Sequence, residues 1–254
     1  MPKKPPNFAY SFWVIPSPSA GESQQDKTFA ARLELILSER LRRKIRTVNS
    51  GVGGYNTVQE LAFLRKKGDL IEPDFIVLLY VPNDVEVNSP PFEPELRVSL
   101  QGKSPPESVK IILGKSWSCR LVYHFVQFHN REAGEPPTDS QGWKDSMASV
   151  KAIAAYCRER RLPFVTFVAR RKHCGAIGER VWEDLSQLAA EEGFPVVDVK
   201  PWWGEVEWHE LRNSVVDSHP NARGHELLAR GMEAFLIDKT GLLPKSLPPV
   251  KRGE

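Results

Sequence analysis

Residues 75–81, Phe-Ile-Val-Leu-Leu-Tyr-Val, form an unbroken apolar run that stops abruptly at Pro82-Asn83-Asp84. The run is far shorter than the roughly 20 apolar residues that a bilayer span needs. Its length and its β-branched and aromatic content suit a strand covered on both faces. Such a strand forces a layered fold, because each face needs its own apolar cover. Residues 10–15, 45–48, 164–168 and 195–199 read as further short strands. Helical spacing fills the intervals. Phe29, Leu33, Ile36, Leu37 and Leu41 mark an amphipathic helix over residues 27–42. Thr57 with Glu60 three residues later predicts a capping box, followed by Leu61 and Leu64 and stopped near Gly68. Helical spacing recurs over residues 117–129, at Val150, Ile153, Ala154 and Cys157, over 181–190, and over 222–237 with Leu228, Met232, Phe235 and Leu236 on one face. Strands alternating with helices predict an α/β fold, one mostly parallel sheet with helices on both sides. Ligands in such folds bind where loops leave the carboxyl ends of the strands.

Composition narrows the class. The 254 residues are 41% hydrophobic and 26% charged, with a net charge of +3. This is ordinary for a globular chain that forms one sizeable core. A single domain is expected over residues 1–243, interrupted by a proline-rich loop near 86–115, with a basic, proline-rich tail at 244–254. The basic residues are scattered over several short clusters rather than gathered in the stripe that a nucleic-acid groove needs, so no nucleic-acid partner is expected. No run is long enough for a membrane span. Cys119, Cys157 and Cys174 are dispersed and odd in number, which favours a reducing compartment. Lys3-Lys4, residues 8–15 and Ser17-Pro18-Ser19-Ala20 have the outline of a stunted signal peptide. Its apolar part is near the lower length limit, contains Ser11 and directly follows Pro5-Pro6, so the expectation is a retained segment and a cytoplasmic protein.

Three distant stretches carry chemistry: Gly53-Gly54-Tyr55-Asn56-Thr57, Pro82-Asn83-Asp84 and Asp217-Ser218-His219-Pro220-Asn221. Each follows an expected strand or lies in an adjoining loop, so all three meet at one sheet edge. Serine-dependent ester cleavage needs a hydroxyl, a histidine base, a group that orients the histidine, and donors aimed at the oxyanion. Asp217 and His219 suit orienting group and base, with Asn221 as a helix cap, although a polar helix entrance gives the same pattern. The Asn83 amide suits an oxyanion donor, although Pro-Asn-Asp is also strong turn chemistry. Gly53-Gly54 lets backbone approach a ligand closely, or simply makes a tight turn.

Taken together, the three stretches resemble the SGNH hydrolases, the GDSL-type esterase and lipase family. The resemblance implies a three-layer α/β/α sandwich, SGNH/flavodoxin-like in its layering, over residues 14–237. "NSGVGGYNTVQE" resembles the family's second block and implies that the Gly54 N–H serves the oxyanion hole. "VPND" resembles the third block and implies the same role for Asn83; "DSHPNARGHELLA" resembles the last and implies that Asp217 and His219 belong to a catalytic triad. The chain departs from the family in two places. Val81 stands where the third block has a glycine, and no Gly-Asp-Ser exists. Aligning back from Gly21-Glu22 puts Ile15-Pro16-Ser17 in its place, making Ser17 the candidate nucleophile and a further oxyanion donor, with Ser19 as the fallback hydroxyl. Pro16 then replaces an aspartate and removes a backbone donor.

The expected activity is hydrolysis of a short acyl ester through an acyl-enzyme, with a small-molecule or carbohydrate ester as substrate and neither cofactor nor metal required. Trp202, Trp203 and Trp208 serve either as a pocket wall or as packing. The chief alternative is a binding module on a decayed SGNH scaffold, motivated by Pro16. Two weaker readings remain. Gly51 to Asn56 with Glu72 partly matches a dinucleotide fingerprint, which implies an oxidoreductase. Asp217, His219 and His225 contain an Asp-x-His pair of the kind that ligates metal.

Overall fold

The computed structural model describes residues 10–16, 27–51, 55–85, 140–171, 174–214 and 219–239, with 10–16 and 238–239 as backbone only. Among the described residues, five strands form one sheet: β1 (Tyr10–Pro16), β2 (Ile45–Asn49), β3 (Phe75–Tyr80), β4 (Phe164–Val168) and β5 (Val196–Asp198). Their order is β2-β1-β3-β4-β5 and every pairing is parallel. The expected parallel α/β architecture is what the chain adopts.

All residues of β3 are buried, as the apolar run demands. Its side chains alternate between two cores. Phe75, Val77 and Leu79 join α1 (Phe29–Arg40) and the C-terminal helix on one face. Ile76, Leu78 and Tyr80 meet α2 (Thr57–Ile71), α3 (Gln141–Arg160) and α4 (Gly175–Glu192) on the other. A short helix α5 (Trp208–Leu211) leads to α6 (Ala222–Ala234), which ends in a π turn, Phe235–Lys239. The helix expected over 181–190 begins six residues earlier, because its first turn is partly exposed and lacks apolar periodicity. The helical spacing over 117–129 and the loop over 86–115 lie outside the described residues.

The capping box of α2 is shifted by one residue from Thr57 and Glu60. Asn56 is the cap: its Oδ1 accepts the Val58 N–H at 3.1 Å, and Gln59 Oε1 accepts the Asn56 N–H at 3.0 Å. Amides serve here because Thr57 and Glu60 both turn into the protein.

His225 sits inside α6 with its ring stacked on Phe29, centroids 5.9 Å apart and planes 17° from parallel. Burial, and secondarily the charges of Arg32 and His219, pull its pKa from 6.5 down to about 4. The folded state therefore holds a neutral imidazole where the unfolded chain takes up a proton. Stability from this group is complete above pH 6.5 and is lost as pH falls towards 4, by about 3 kcal/mol. Thermal melts should show a shallower acid decline between these pH values for His225→Phe than for the parent. Equal slopes would contradict a neutral, buried ring.

Candidate active site

The carboxyl edge of the sheet is formed by the ends of β1, β2 and β3. Val14 pairs with Asn49, after which β1 continues beyond β2 and Pro16 pairs with Leu79 of β3 alone. A proline is accommodated there because the ladder towards β2 has already ended. Ser17 follows in sequence, but it lies outside the described residues, as do Ser19, Gly54 and Asp217. Asn83 and His219 are described.

Asn83 is exposed on a 3₁₀ turn, Pro82–Val85, that follows the central strand almost directly. Its neighbour Asp84 points the other way and is 1% exposed. The Asp84 carboxylate accepts the Thr57 hydroxyl at 3.2 Å and the Val81 N–H at 3.3 Å, and the Asp84 N–H donates back to the Val81 carbonyl at 2.9 Å. One turn of backbone thus fixes Asp84 inside and holds the Asn83 amide at the surface.

His219 is held through its backbone. Arg212 and Pro220 form an antiparallel bridge, and the Asn213 N–H donates to the His219 carbonyl at 2.9 Å. Asn221 then locks the entrance to α6. Its Oδ1 accepts the N–H groups of Arg223 and Gly224, at 3.0 and 3.1 Å, while its Nδ2 donates to the carbonyls of Glu210 and Arg212. A Cβ on Gly224 would lie 2.8 Å from the Leu211 carbonyl oxygen, so the loop needs glycine to sit this close to the helix.

Ion pairs fix the direction of α6. Arg32 near the start of α1 reaches Glu226 near the start of α6, and Arg40 at the end of α1 reaches Glu233 near the end of α6. The two helices run the same way. Because α1 returns the chain from the carboxyl end of β1 to the amino end of β2, the amino end of α6 lies at the carboxyl edge of the sheet. Asn83 and His219 therefore share that edge.

Sequence reasoning missed the polar groups behind the site. Thr57, Glu60 and Asp84 are 0%, 2% and 1% exposed. Burial, reinforced by the Asp84 charge, holds the Glu60 carboxyl well above its ordinary pKa. The available signal was position: Thr57, Glu60, Leu61, Leu64 and Gly68 form one buried stripe of α2, with an acid in its middle. Arg170, beyond the end of β4, is also buried and is held between Asp198 and Glu179.

Two tryptophans belong to the packing. The Trp203 indole N–H donates to the Arg170 carbonyl at 2.6 Å, and Trp202 packs on Phe167 and directly against Gly231. Trp208 is half-buried, edge-on to Trp203, with the Arg171 guanidinium 5.0 Å from its ring centre. The dinucleotide reading fails on geometry. Glu72 is the left-handed C-cap of α2, at the far end of a 15-residue helix from its Asn56 cap, roughly 22 Å away. His225, the third residue of the metal reading, is committed to its stack on Phe29.

The model of the GDSL-like lipase/acylhydrolase family matches residues 17–227. The chain belongs to this family. Its fold is likewise that of solved SGNH/GDSL carboxylic ester hydrolases. The solved structure of TesA superposes with a TM-score of 0.58 at 14% identity, covering 92% of this chain and 99% of that one. A mutant of Axe2, an acetyl-xylooligosaccharide esterase from Geobacillus, gives 0.57 at 13% identity over 96% of this chain and 100% of that one. The psychrotrophic esterase EstA from Pseudoalteromonas sp. gives 0.55 at 10% identity over 87% and 93%. In this GDSL-like chain the Val81 N–H donates to Asp84, so the turn after β3 forms with valine at this position. Asn221→Ala removes a helix cap and two carbonyl contacts together, so urea denaturation should show a loss of about 1–2 kcal/mol. An unchanged midpoint would mean that the cap contributes nothing to holding the His219 loop.

Proposed function

We propose that this GDSL-like hydrolase cleaves short-chain carboxylic esters by serine catalysis. Ser17 attacks the ester carbonyl while His219 takes its proton and passes it to the leaving alcohol. Asp217 orients the imidazole, and the oxyanion is held by the N–H groups of Ser17 and Gly54 and by the Asn83 amide. Water, activated by His219, then hydrolyses the acyl-enzyme and returns Ser17. The observation that carries this reading is the shared edge: Asn83 exposed beyond the central strand, and His219 fixed at the start of α6. An acetyl group on a carbohydrate is the preferred substrate. Supporting this are the acetyl-xylooligosaccharide and acetyl xylan esterases among the structural neighbours. A cytoplasmic setting belongs to the same proposal, resting on the unpaired Cys157 and Cys174.

One observation favours a second reading, a binding module on the same scaffold. Strand β1 ends on Pro16, which lacks the N–H and the carboxylate of the family's usual residue. A fluorophosphonate probe separates the two. Labelling at Ser17, located by peptide mapping, is expected for the hydrolase, whereas a folded sample that stays unlabelled supports the binding module. Asn83→Ala should lower kcat on p-nitrophenyl acetate by about 10²–10³-fold, as for loss of one oxyanion donor. Parental turnover in this variant would remove Asn83 from the mechanism.

A further inference from the structure

A continuous series of contacts runs from the strand that carries the Asn83 turn to the loop that carries His219. Strand β3 ends at Tyr80, whose carbonyl accepts the Ala169 N–H at 2.8 Å. The next residue, Arg170, presents its own carbonyl to the Trp203 indole N–H at 2.6 Å. Trp203 is 2% exposed and meets Trp208 edge-on, with ring centroids 5.4 Å apart. Trp208 opens α5, and Asn221 grips the far end of that helix. The Asn221 backbone N–H donates to the Leu211 carbonyl at 2.7 Å, and its Nδ2 donates to the carbonyls of Glu210 and Arg212. Carbonyls at a helix end lack partners within the helix, and here one residue fills three in succession. The Asn213 N–H then donates to the His219 carbonyl at 2.9 Å.

We propose that Arg170 is a positioning residue for the reaction: anchored by its guanidinium, it holds Trp203 and α5 so that His219 stands at a fixed distance from the Asn83 turn. This rests on the reading of His219 as the base and Asn83 as an oxyanion donor. The anchor is built for rigidity. Arg170 is 4% exposed, and its Nε and one terminal nitrogen meet the two oxygens of Asp198 in β5. Its other terminal nitrogen reaches Glu179 in α4. The Lys200 N–H, at 2.9 Å, orients the Asp198 carboxylate in turn. A planar guanidinium held on two sides has little rotational freedom, so the backbone carbonyl behind it is fixed as well. The other tie on this end of the chain is the pair of ion bridges between α1 and α6. Their arginines, Arg32 and Arg40, are 35% and 47% exposed, and water screening leaves such pairs weak. The buried series through Arg170 therefore sets the position of His219 more exactly than the surface ion pairs do.

Trp203→Phe removes the indole N–H and keeps an aromatic ring, so it cuts the series at one bond. Amide exchange followed by NMR should become about tenfold faster at Asn213 and Asn221, with the amides of β3 unchanged. On p-nitrophenyl acetate, kcat per site titrated with a fluorophosphonate should fall about tenfold, with KM within about twofold of the parent. The base shifts while the substrate contacts remain. Arg170→Lys keeps the charge but not the fork, and should give the same two changes. It also guards against a Trp203→Phe variant that does not fold. A purely structural role would instead raise exchange throughout the chain and lower the titrated fraction, leaving kcat per site at the parental value. That result overturns the proposal, as does parental exchange at Asn213 and Asn221 in both variants. The exchange measurement needs no substrate. It reads the series of contacts even if the parent proves to have no esterase activity, so failure of the hydrolase reading is told apart from failure of the positioning role.

Discussion

The complete burial of β3 is the constraint on which the rest depends. It pairs with β1 on one side and β4 on the other, and its alternating side chains enter two separate cores. A slip of one residue would exchange the faces and misplace every side chain in the strand. The strand is therefore fixed in register to a single residue. The turn that follows inherits this precision, with Asn83 at the surface and Asp84 inside. The position of the Asn83 side chain is thus set by the strand that precedes it.

Behind the carboxyl edge, the fold buries ionisable groups and handles each differently. Arg170 remains charged between two carboxylates and ties the end of β4 to β5 and to α4. His225 is kept neutral by burial, reinforced by the charges of Arg32 and His219. Asp84 is satisfied by a hydroxyl and a backbone N–H, and burial pushes Glu60 towards its acid form. Among the described residues, the turn that carries Asn83 is thus supported from below by polar contacts. Buried polar contacts of this kind have strict geometry and high penalties for disruption, so they hold a loop more exactly than apolar packing does.

Periodicity revealed every described strand and the long helices, because each buries one stripe or face of regular period. It failed where a residue's type and its surroundings disagree. Thr57 and Glu60 carry the letters of a capping box, yet the box is made by Asn56 and Gln59 one residue earlier. A short acidic pattern at a helix start has two solutions, capping the helix or entering the core, and sequence does not distinguish them. Glu72 matched a fingerprint by separation along the chain, while the helix between carried it to the far end. Trp202 and Trp203 looked equally suited to a pocket and to a core; the approach of Trp202 to Gly231 and the bond from Trp203 to Arg170 make them core.

The order of apolar runs and helical stripes by itself determined a parallel α/β sheet, and the spaced motifs pointed to the GDSL-like family, because local period and motif chemistry are written directly in neighbouring residues. Only the tertiary structure decided which way Asn83 and Asp84 face, that His219 enters at the same edge as Asn83, and that Glu60 is buried. These depend on how α2, α6 and β3 lie against one another, and such contacts join residues between 27 and 194 positions apart. No local pattern encodes a separation of that kind; it is fixed when the two cores close around the central strand.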